Sequence, residues 1–121
     1  MGHVESVLLK NGDKLLIAQR RLYEKDELRF FIGHVDEYES GIVKLTGHSY
    51  VRDPIGGSII EKSDARTKIL SLASGTLLVY QLPDDLDLDK AEFKVLDTHL
   101  SLTDNEEFTM NLTEHPHSGR L

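Results

Sequence analysis

Two stretches of strand-forming sequence constrain the fold of this chain most strongly. Residues 31–45 read FIGHVDEYESGIVKL and residues 67–83 read TKILSLASGTLLVYQLP, each with a Ser-Gly turn signal near its middle. The period of two places Phe31 and Val35 on one strand face with Gly33 between them. Because a glycine inside a strand permits strong bending, the sequence predicts an all-β fold with a sharply bent central hairpin.

The flanking sequence predicts further short strands and turns. Asn11-Gly12 predicts a type I′ hairpin turn between two strands, because this dipeptide accepts positive φ at both central positions. A short exposed strand is predicted at 58–62, and one or two helical turns capped by an Asp at 87–93. The predicted strands are 4–10, 13–22, 29–38, 42–52, 58–62, 67–73, 76–82, 93–96, 99–103 and 108–112, the last two joined by a turn at 104–106, with a tail at 113–121.

The two glycines carry a family resemblance. Gly33 with Val35 two residues later, and Gly75 between two apolar strands, resemble the central hairpin and the closing strands of Sm-like proteins, the Sm, LSm and Hfq small barrels. The matching part is 29–83. The resemblance implies a small, strongly bent Sm-like barrel at 1–83, to which 84–121 adds a C-terminal β-hairpin region and at most one short helix, packed as part of the same domain.

The resemblance also implies where such a protein would act. Sm-like subunits join into rings through their closing strands and line a central pore with two loops. The implied pore-facing or ligand-facing positions are Glu39, Ser40, Gly41, Ser74 and Gly75. The implied oligomer interface is Ile69, Leu70, Leu72, Leu77, Leu78 and Val79.

The apolar residues of the closing strands support that interface independently. Ile69-Leu70 and Leu77-Leu78-Val79 place apolar side chains on both faces of a strand. In a monomer, such a strand at a sheet edge invites aggregation. Pairing with a second copy of the chain would remove the hazard, so the predicted partner is the protein itself.

The residues that bind RNA in Sm-like proteins are largely missing. Glu39 stands about where the family has an Asp, the turn that follows leaves no Asn, and Ser74 stands where an Arg would be. The chain has 14 basic and 21 acidic residues, a net charge of −7, whereas nucleic-acid affinity depends on cations that replace phosphate counterions. Its basic cluster, with acidic residues interleaved, is Arg20, Arg21, Lys25 and Arg29. Nucleic-acid binding is therefore predicted to be weak.

Other residue patterns predict neither a metal nor a cofactor. His34 and His48 lie on the two strands of the central hairpin and could approach each other, but no third ligand has a defined spacing. His115 and His117 could chelate a metal, although ordering a tail costs entropy. The carboxylates Asp84, Asp85, Asp87 and Asp89 lack the spacing of an EF-hand and are predicted to form a solvated loop.

The sequence likewise predicts no enzyme. Ser49 beside His48 cannot form a triad, because neighbours on a strand point to opposite faces. Three tyrosines could stack nucleobases but are more often packing residues; they are Tyr38, Tyr50 and Tyr80.

The composition bears on location. The chain has no cysteine, no apolar run long enough to span a bilayer, and no signal-peptide pattern after Met1. The expectation is a cytoplasmic protein without a membrane partner.

Together these observations predict a noncatalytic, ring-forming Sm-like protein of unknown ligand, acting as an interaction scaffold. Two alternatives stay open at this point. One is a ring that binds RNA or another nucleic acid, and the other is a small enzyme or ligand-binding barrel.

Overall fold

The computed structural model describes residues 8–20 and 28–113 and is all-β. Two antiparallel sheets account for the strands, and the described residues contain no helix, so the predicted fold class is confirmed. The strands are β1 (Lys14–Gln19), β2 (Arg29–Glu39), β3 (Ile42–Arg52), β4 (Ile59–Glu61), β5 (Arg66–Ser71), β6 (Leu77–Leu82), β7 (Glu92–Leu96), β8 (His99–Thr103) and β9 (Thr109–Asn111).

The larger sheet has six strands, of which five follow the order β4-β3-β2-β1-β6. Strand β5 also pairs with β3, along Ile42–Gly47, while β4 pairs with the other end of β3 at Tyr50–Arg52. Among the described strands, β5 and β6 do not pair with each other, so the sheet is not a closed barrel. The smaller sheet is a meander in the order β7-β8-β9.

The central hairpin is formed by β2 and β3, as predicted. Glu39 and Ile42 are cross-strand partners, which leaves Ser40 and Gly41 as a two-residue loop. Both have positive φ, 48° and 84°, as a type I′ turn requires. The right-handed twist of that turn matches the twist of the strands it joins.

A pair of glycines lets β2 and β3 approach very closely. Gly33 and Gly47 are cross-strand partners. A Cβ added at Gly33 would collide with the carbonyl group of Thr46, and one added at Gly47 would collide with the Ile32 carbonyl and lie 2.5 Å from the Gly33 Cα. Because all these atoms belong to the backbone, no side-chain rotation could relieve the clash. The close approach of β2 and β3 at Gly33 thus depends on a second glycine that faces it.

The register between β2 and β3 shifts just beyond this point. Val35 pairs with Leu45, but Glu37 pairs with the adjacent Lys44, so Asp36 is a β-bulge. A bulge bends its strand and redirects the side chain of the extra residue. Here the Asp36 carboxylate accepts a 2.6 Å hydrogen bond from the Thr46 hydroxyl on β3.

Strands β1 and β2 are buried on both faces, which gives the molecule two apolar clusters. The inner cluster is Leu9, Leu15, Ile17, Phe31, Val35, Val43 and Leu45. Leucines from β5 and from β6, at opposite edges of the sheet, both pack against it. The six-stranded sheet must therefore curl around the inner cluster, although its edges do not join.

The outer cluster joins the two sheets. Phe93 of β7 stacks on Phe30 of β2 with ring centres 4.6 Å apart, and meets the Tyr50 ring of β3 edge-on at 5.1 Å. The buried members of the cluster are Leu16, Ala18, Phe30, Ile32, Tyr50, Leu82, Leu86, Ala91, Phe93 and Leu102. Because this apolar core is contributed by both sheets, we expect the described chain to unfold as one unit.

Two local predictions were wrong. Gly12 has a φ of 91° but Asn11 does not have positive φ, so the turn is not type I′. The flanking segment Leu8–Lys10 forms no strand, and residues 4–7 of that predicted strand lie outside the described residues. The turn instead bonds to β2: Gly12 donates to the Val35 carbonyl and Val35 donates to the Asp13 carbonyl.

The second wrong prediction is the helix at 87–93. Residues 87–93 form turns and the start of β7, not a helix.

Asp13 closes this turn through its buried side chain. Its carboxylate accepts the Lys10 N–H at 3.0 Å and a 3.3 Å hydrogen bond from the Gln81 amide, and pairs with the Lys10 ammonium at 3.1 Å. The bond from the Lys10 N–H, more than the Lys10 charge, lowers the pKa of the Asp13 carboxyl against the opposing effect of burial. A depressed folded-state pKa stabilises the fold above the unfolded pKa, and this contribution is lost as pH falls through the folded pKa.

We therefore expect Asp13→Ala to lower the free energy of unfolding by about 1–3 kcal/mol at pH 7, because the Lys10 N–H and the Gln81 amide both lose the Asp13 carboxylate as acceptor. The deficit should begin to shrink below about pH 4, where the carboxyl of the unfolded chain takes up a proton, and should be smallest below the depressed folded-state pKa. Urea unfolding at pH 7 and pH 3 measures both effects, with the exposed Asp64→Ala as the control. A deficit that is equal at the two pH values would contradict the assigned role of the ionised carboxylate.

Candidate functional site

The candidate site is built on β5 and β6, two of the three described strands that have a single partner in the six-stranded sheet. Strand β5 pairs only with β3 and β6 pairs only with β1 within the described chain. Each is six residues long, and each leaves one row of backbone N–H and C=O groups without a neighbouring strand. The residues predicted as an oligomer interface lie on these strands and on the segment between them.

Some side chains of the predicted oligomer interface lie in the interior of the protein and others lie on its surface. Leu70, Leu72, Leu77 and Val79 pack against the inner cluster, and Leu78 packs against the outer cluster. Ile69 points away from both clusters with 69% of its surface exposed. Its solvent-facing position on an edge strand makes Ile69 the best probe of an intermolecular contact.

The predicted pore-facing turns lie beside these edges. The Leu72 N–H donates a 2.8 Å hydrogen bond to the Gly41 carbonyl, so the segment after β5 is tied to the β2–β3 turn. Two residues later, the Ser74 hydroxyl bonds to that of Thr76 at 2.9 Å. Gly75 has a φ of 77°, a conformation that favours glycine. The structure thus links Gly41 to the end of β5, which leads directly into Ser74 and Gly75.

The two histidines of the central hairpin belong to separate polar groups. His34 Nε2 lies 3.4 Å from an Asp36 carboxylate oxygen, while His48 Nδ1 lies 3.7 Å from a Glu61 oxygen. Thr46, which donates to Asp36, also shares a 2.8 Å hydrogen bond with the Thr67 hydroxyl of β5. No set of three or more His, Asp or Glu side chains within 8–20 and 28–113 is placed to hold a metal ion.

The tyrosines are used in packing. Tyr50 is buried in the outer cluster and donates a 3.0 Å hydrogen bond to Glu61. Burial, reinforced by that bond, raises the pKa of the Tyr50 hydroxyl well above its ordinary value, so it remains a hydrogen-bond donor. Tyr38 and Tyr80 are half-buried against the inner and outer clusters, respectively. None of the three presents a freely exposed ring for base stacking.

The acidic segment after β6 is organised by hydrogen bonds within the protein. Lys14 of β1 donates from its ammonium to the backbone carbonyls of Asp84 and Leu86, at 2.8 and 2.5 Å. The Asp87 carboxylate accepts the Asp89 N–H at 3.0 Å and forms a local turn. The side chains of Asp84, Asp85, Asp87 and Asp89 lie in exposed positions, consistent with a solvated loop.

Sequence reasoning did not anticipate the contacts that depend on distant strands. The Asp36 bulge and its Thr46 bond had no sequence signal, because a bulge is visible only once β2 and β3 are aligned. The clamp from Lys14 to the acidic segment requires the β1–β6 pairing. The predicted basic residues Arg21 and Lys25, and the paired histidines at 115 and 117, lie outside the described residues.

Comparison with known proteins does not indicate a family for this chain. No family model, no curated protein and no solved structure matches the chain. Through 8–20 and 28–113 the fold contains no helix with the length and apolar character needed to cross a membrane.

Proposed function

We propose that this chain is a noncatalytic, Sm-like subunit that joins copies of itself into a ring and acts as an interaction scaffold. The observation that carries the proposal is the pair of edge strands: β5 at one edge and β6 at the other each lack a second partner in the described chain. If β5 of one copy pairs with β6 of the next, both rows of backbone groups are satisfied. Contact between two different surfaces generates a ring when its rotation closes.

The central hairpin supports the Sm-like part of the proposal. Gly33 and Gly47 let β2 and β3 approach closely, and residues of both β5 and β6 pack against the same inner cluster that these strands help to form. The strands at the edges are therefore fixed in place by packing before any second copy arrives. A preformed edge loses little conformational freedom on binding, which favours assembly.

The scaffold role follows from the remaining polar groups. The hydrogen-bonded groups around Asp36 and Glu61 lie on the strands of the folded core, where each histidine is matched with a single carboxylate. The turns beside the edges offer Ser40, Gly41, Ser74 and Gly75 as small residues that a partner could approach closely. Such surfaces suit protein recognition better than bond-making chemistry.

The test is the molar mass in solution by light scattering. We expect the wild type to be a closed oligomer at micromolar concentration and Ile69→Lys to shift it toward monomer, because a charge would be buried in the seam between copies. Ile69 is exposed in one copy, so the variant should still fold. Leu70→Lys is a poorer test because Leu70 packs against the inner cluster.

Ile55→Lys is the matched control. Ile55 is 96% exposed and lies in the turn between β3 and β4, away from both edge strands, so the same substitution there should leave the mass unchanged. A monomeric wild type at micromolar concentration would overturn the proposal. So would an Ile69→Lys protein that keeps the full oligomeric mass.

A further inference from the structure

One end of the space inside the curved sheet is open, and charged and polar residues line it together with apolar ones. Lys68 of β5 is the cross-strand partner of Leu45, so the two side chains share the face that holds the inner cluster. On β2, Arg29 precedes Phe31 of the inner cluster by two residues and shares its face as well. Lys68 and Arg29 therefore occupy positions on the face that also holds the inner cluster.

Neighbouring strands complete this end of the interior. Ser49 of β3 is the cross-strand partner of Phe31. Gln19 of β1 is the partner of Leu77 of β6 and follows the buried Ile17 by two residues. These side chains surround a cavity of about 310 Å³, hereafter the mouth, whose lining includes Gln19, Arg29, Phe31, Ser49, Lys68 and Leu77.

The mouth is lined by positively charged residues, whereas the whole protein has a net negative charge. Of the described residues, Arg29 and Lys68 line it and no carboxylate does, although the chain carries a net charge of −7. The Lys68 ammonium lies 4.8 Å from the centre of the Phe31 ring, a cation–π contact. Within the described ranges, no carboxylate forms an ion pair with it. The mouth thus holds positive charge above an aromatic and aliphatic floor.

We propose that the mouth binds a small organic anion with a flat apolar body. The anionic group would pair with Lys68, while the body would lie on Phe31 and Leu77. The Ser49 hydroxyl and the Gln19 amide supply the few polar contacts that orient a ligand in a mostly apolar site. Ligand sites occur at the mouths of β-barrels, and a volume near 300 Å³ suits a small molecule. The proposed ring uses the outward edges of β5 and β6, so the mouth does not depend on it.

The test uses two fluorescent probes that share the same ring system. 1-Anilinonaphthalene-8-sulfonate carries a sulfonate, and N-phenyl-1-naphthylamine lacks it. We expect the folded wild type to bind the sulfonate saturably, one per chain, and more tightly than the neutral probe. Lys68→Gln should weaken sulfonate binding by about five- to tenfold, as expected for loss of a charge-assisted contact, and leave the neutral probe unaffected.

Two further variants make the result decisive. Lys44→Gln removes the same charge from an exposed residue adjacent to Leu45 in β3, so on the opposite face of the sheet, and should leave both affinities unchanged. Ser49→Leu keeps the charge but fills the mouth, and should weaken both probes. Circular dichroism confirms that each variant is folded. Equal losses in Lys68→Gln and Lys44→Gln, unaltered binding in Ser49→Leu, or no saturable binding by the wild type would overturn the proposal.

Discussion

Gly47→Ala is expected to lower the free energy of unfolding by about 3 kcal/mol or more, at the upper end of the cost of overpacking. The added Cβ would lie 2.5 Å from the Gly33 Cα and 2.7 Å from the Ile32 carbonyl carbon. Both are backbone atoms of the facing strand, so relief requires β2 and β3 to separate. Separation would weaken their ladder and displace residues that cover the inner cluster. The midpoint of urea unfolding measures the effect.

Gly56→Ala is the control for that substitution. Gly56 is exposed and its φ is not positive, and the nearest atom to an added Cβ is a carboxylate oxygen of Asp53 at 3.2 Å. We expect a change within about 0.5 kcal/mol, as for most surface substitutions. If both variants unfold at the wild-type midpoint, the close crossing at Gly33 and Gly47 is not a feature of the protein in solution.

Phe93→Ala should cost about 3–5 kcal/mol, the usual range for removing a buried phenylalanine side chain. The ring is 9% exposed and fills the space between Phe30 and Tyr50, so truncation leaves a cavity where the two sheets meet. Since both sheets contribute to the outer cluster, the whole chain should unfold earlier and in one transition. Unfolding followed by circular dichroism and by tyrosine fluorescence would give coincident curves.

Val95→Ala, two residues later on the same strand, provides the comparison. Val95 is 70% exposed, so its truncation should have little effect. If Phe93→Ala prevents folding, the milder Phe93→Leu should give an intermediate midpoint. Two separate transitions, with the larger sheet unaffected by Phe93→Leu, would show that 84–113 folds independently of the larger sheet.

Most strands were predictable because their signals are local. The alternation of apolar residues and the turn at Ser40-Gly41 placed β2 and β3 within one residue of their observed bounds. The strands of the smaller sheet were predicted nearly as well, since each lies between polar turn residues. In each of these segments, residues of the turn itself make its hydrogen bonds. The local sequence is therefore enough to predict the turn and the strands beside it.

Predictions failed where a turn bonds to a distant strand. Asn11-Gly12 is a strong hairpin signal, yet the turn is fixed by Val35 of β2 and by the buried Asp13 carboxylate. The segment at 87–93 has a helical pattern, but Lys14 binds the Leu86 carbonyl just before it and Asp87 forms a local turn instead. The mouth was missed for the same reason: Lys68 and Arg29 are far apart in sequence and line one cavity only in the folded sheet.

The bulge at Asp36 limits how the length of β2 can change. Before it, the residues facing the inner cluster are odd-numbered, as Phe31 and Val35 are; after it, Tyr38 faces the same cluster. The extra residue therefore shifts the alternation of inward-facing and outward-facing residues along β2 by one position. Loss of one residue at the bulge would restore the regular alternation, so Tyr38 would still face the inner cluster and the Ser40-Gly41 loop would keep its register; what would be lost is the hydrogen bond from Thr46 to Asp36. Loss of one residue between Phe31 and Val35 would instead move the residues on one side of the deletion to the opposite face. Natural variants of this hairpin should accordingly lose single residues at the bulge or at the tip of the loop, and not elsewhere in β2.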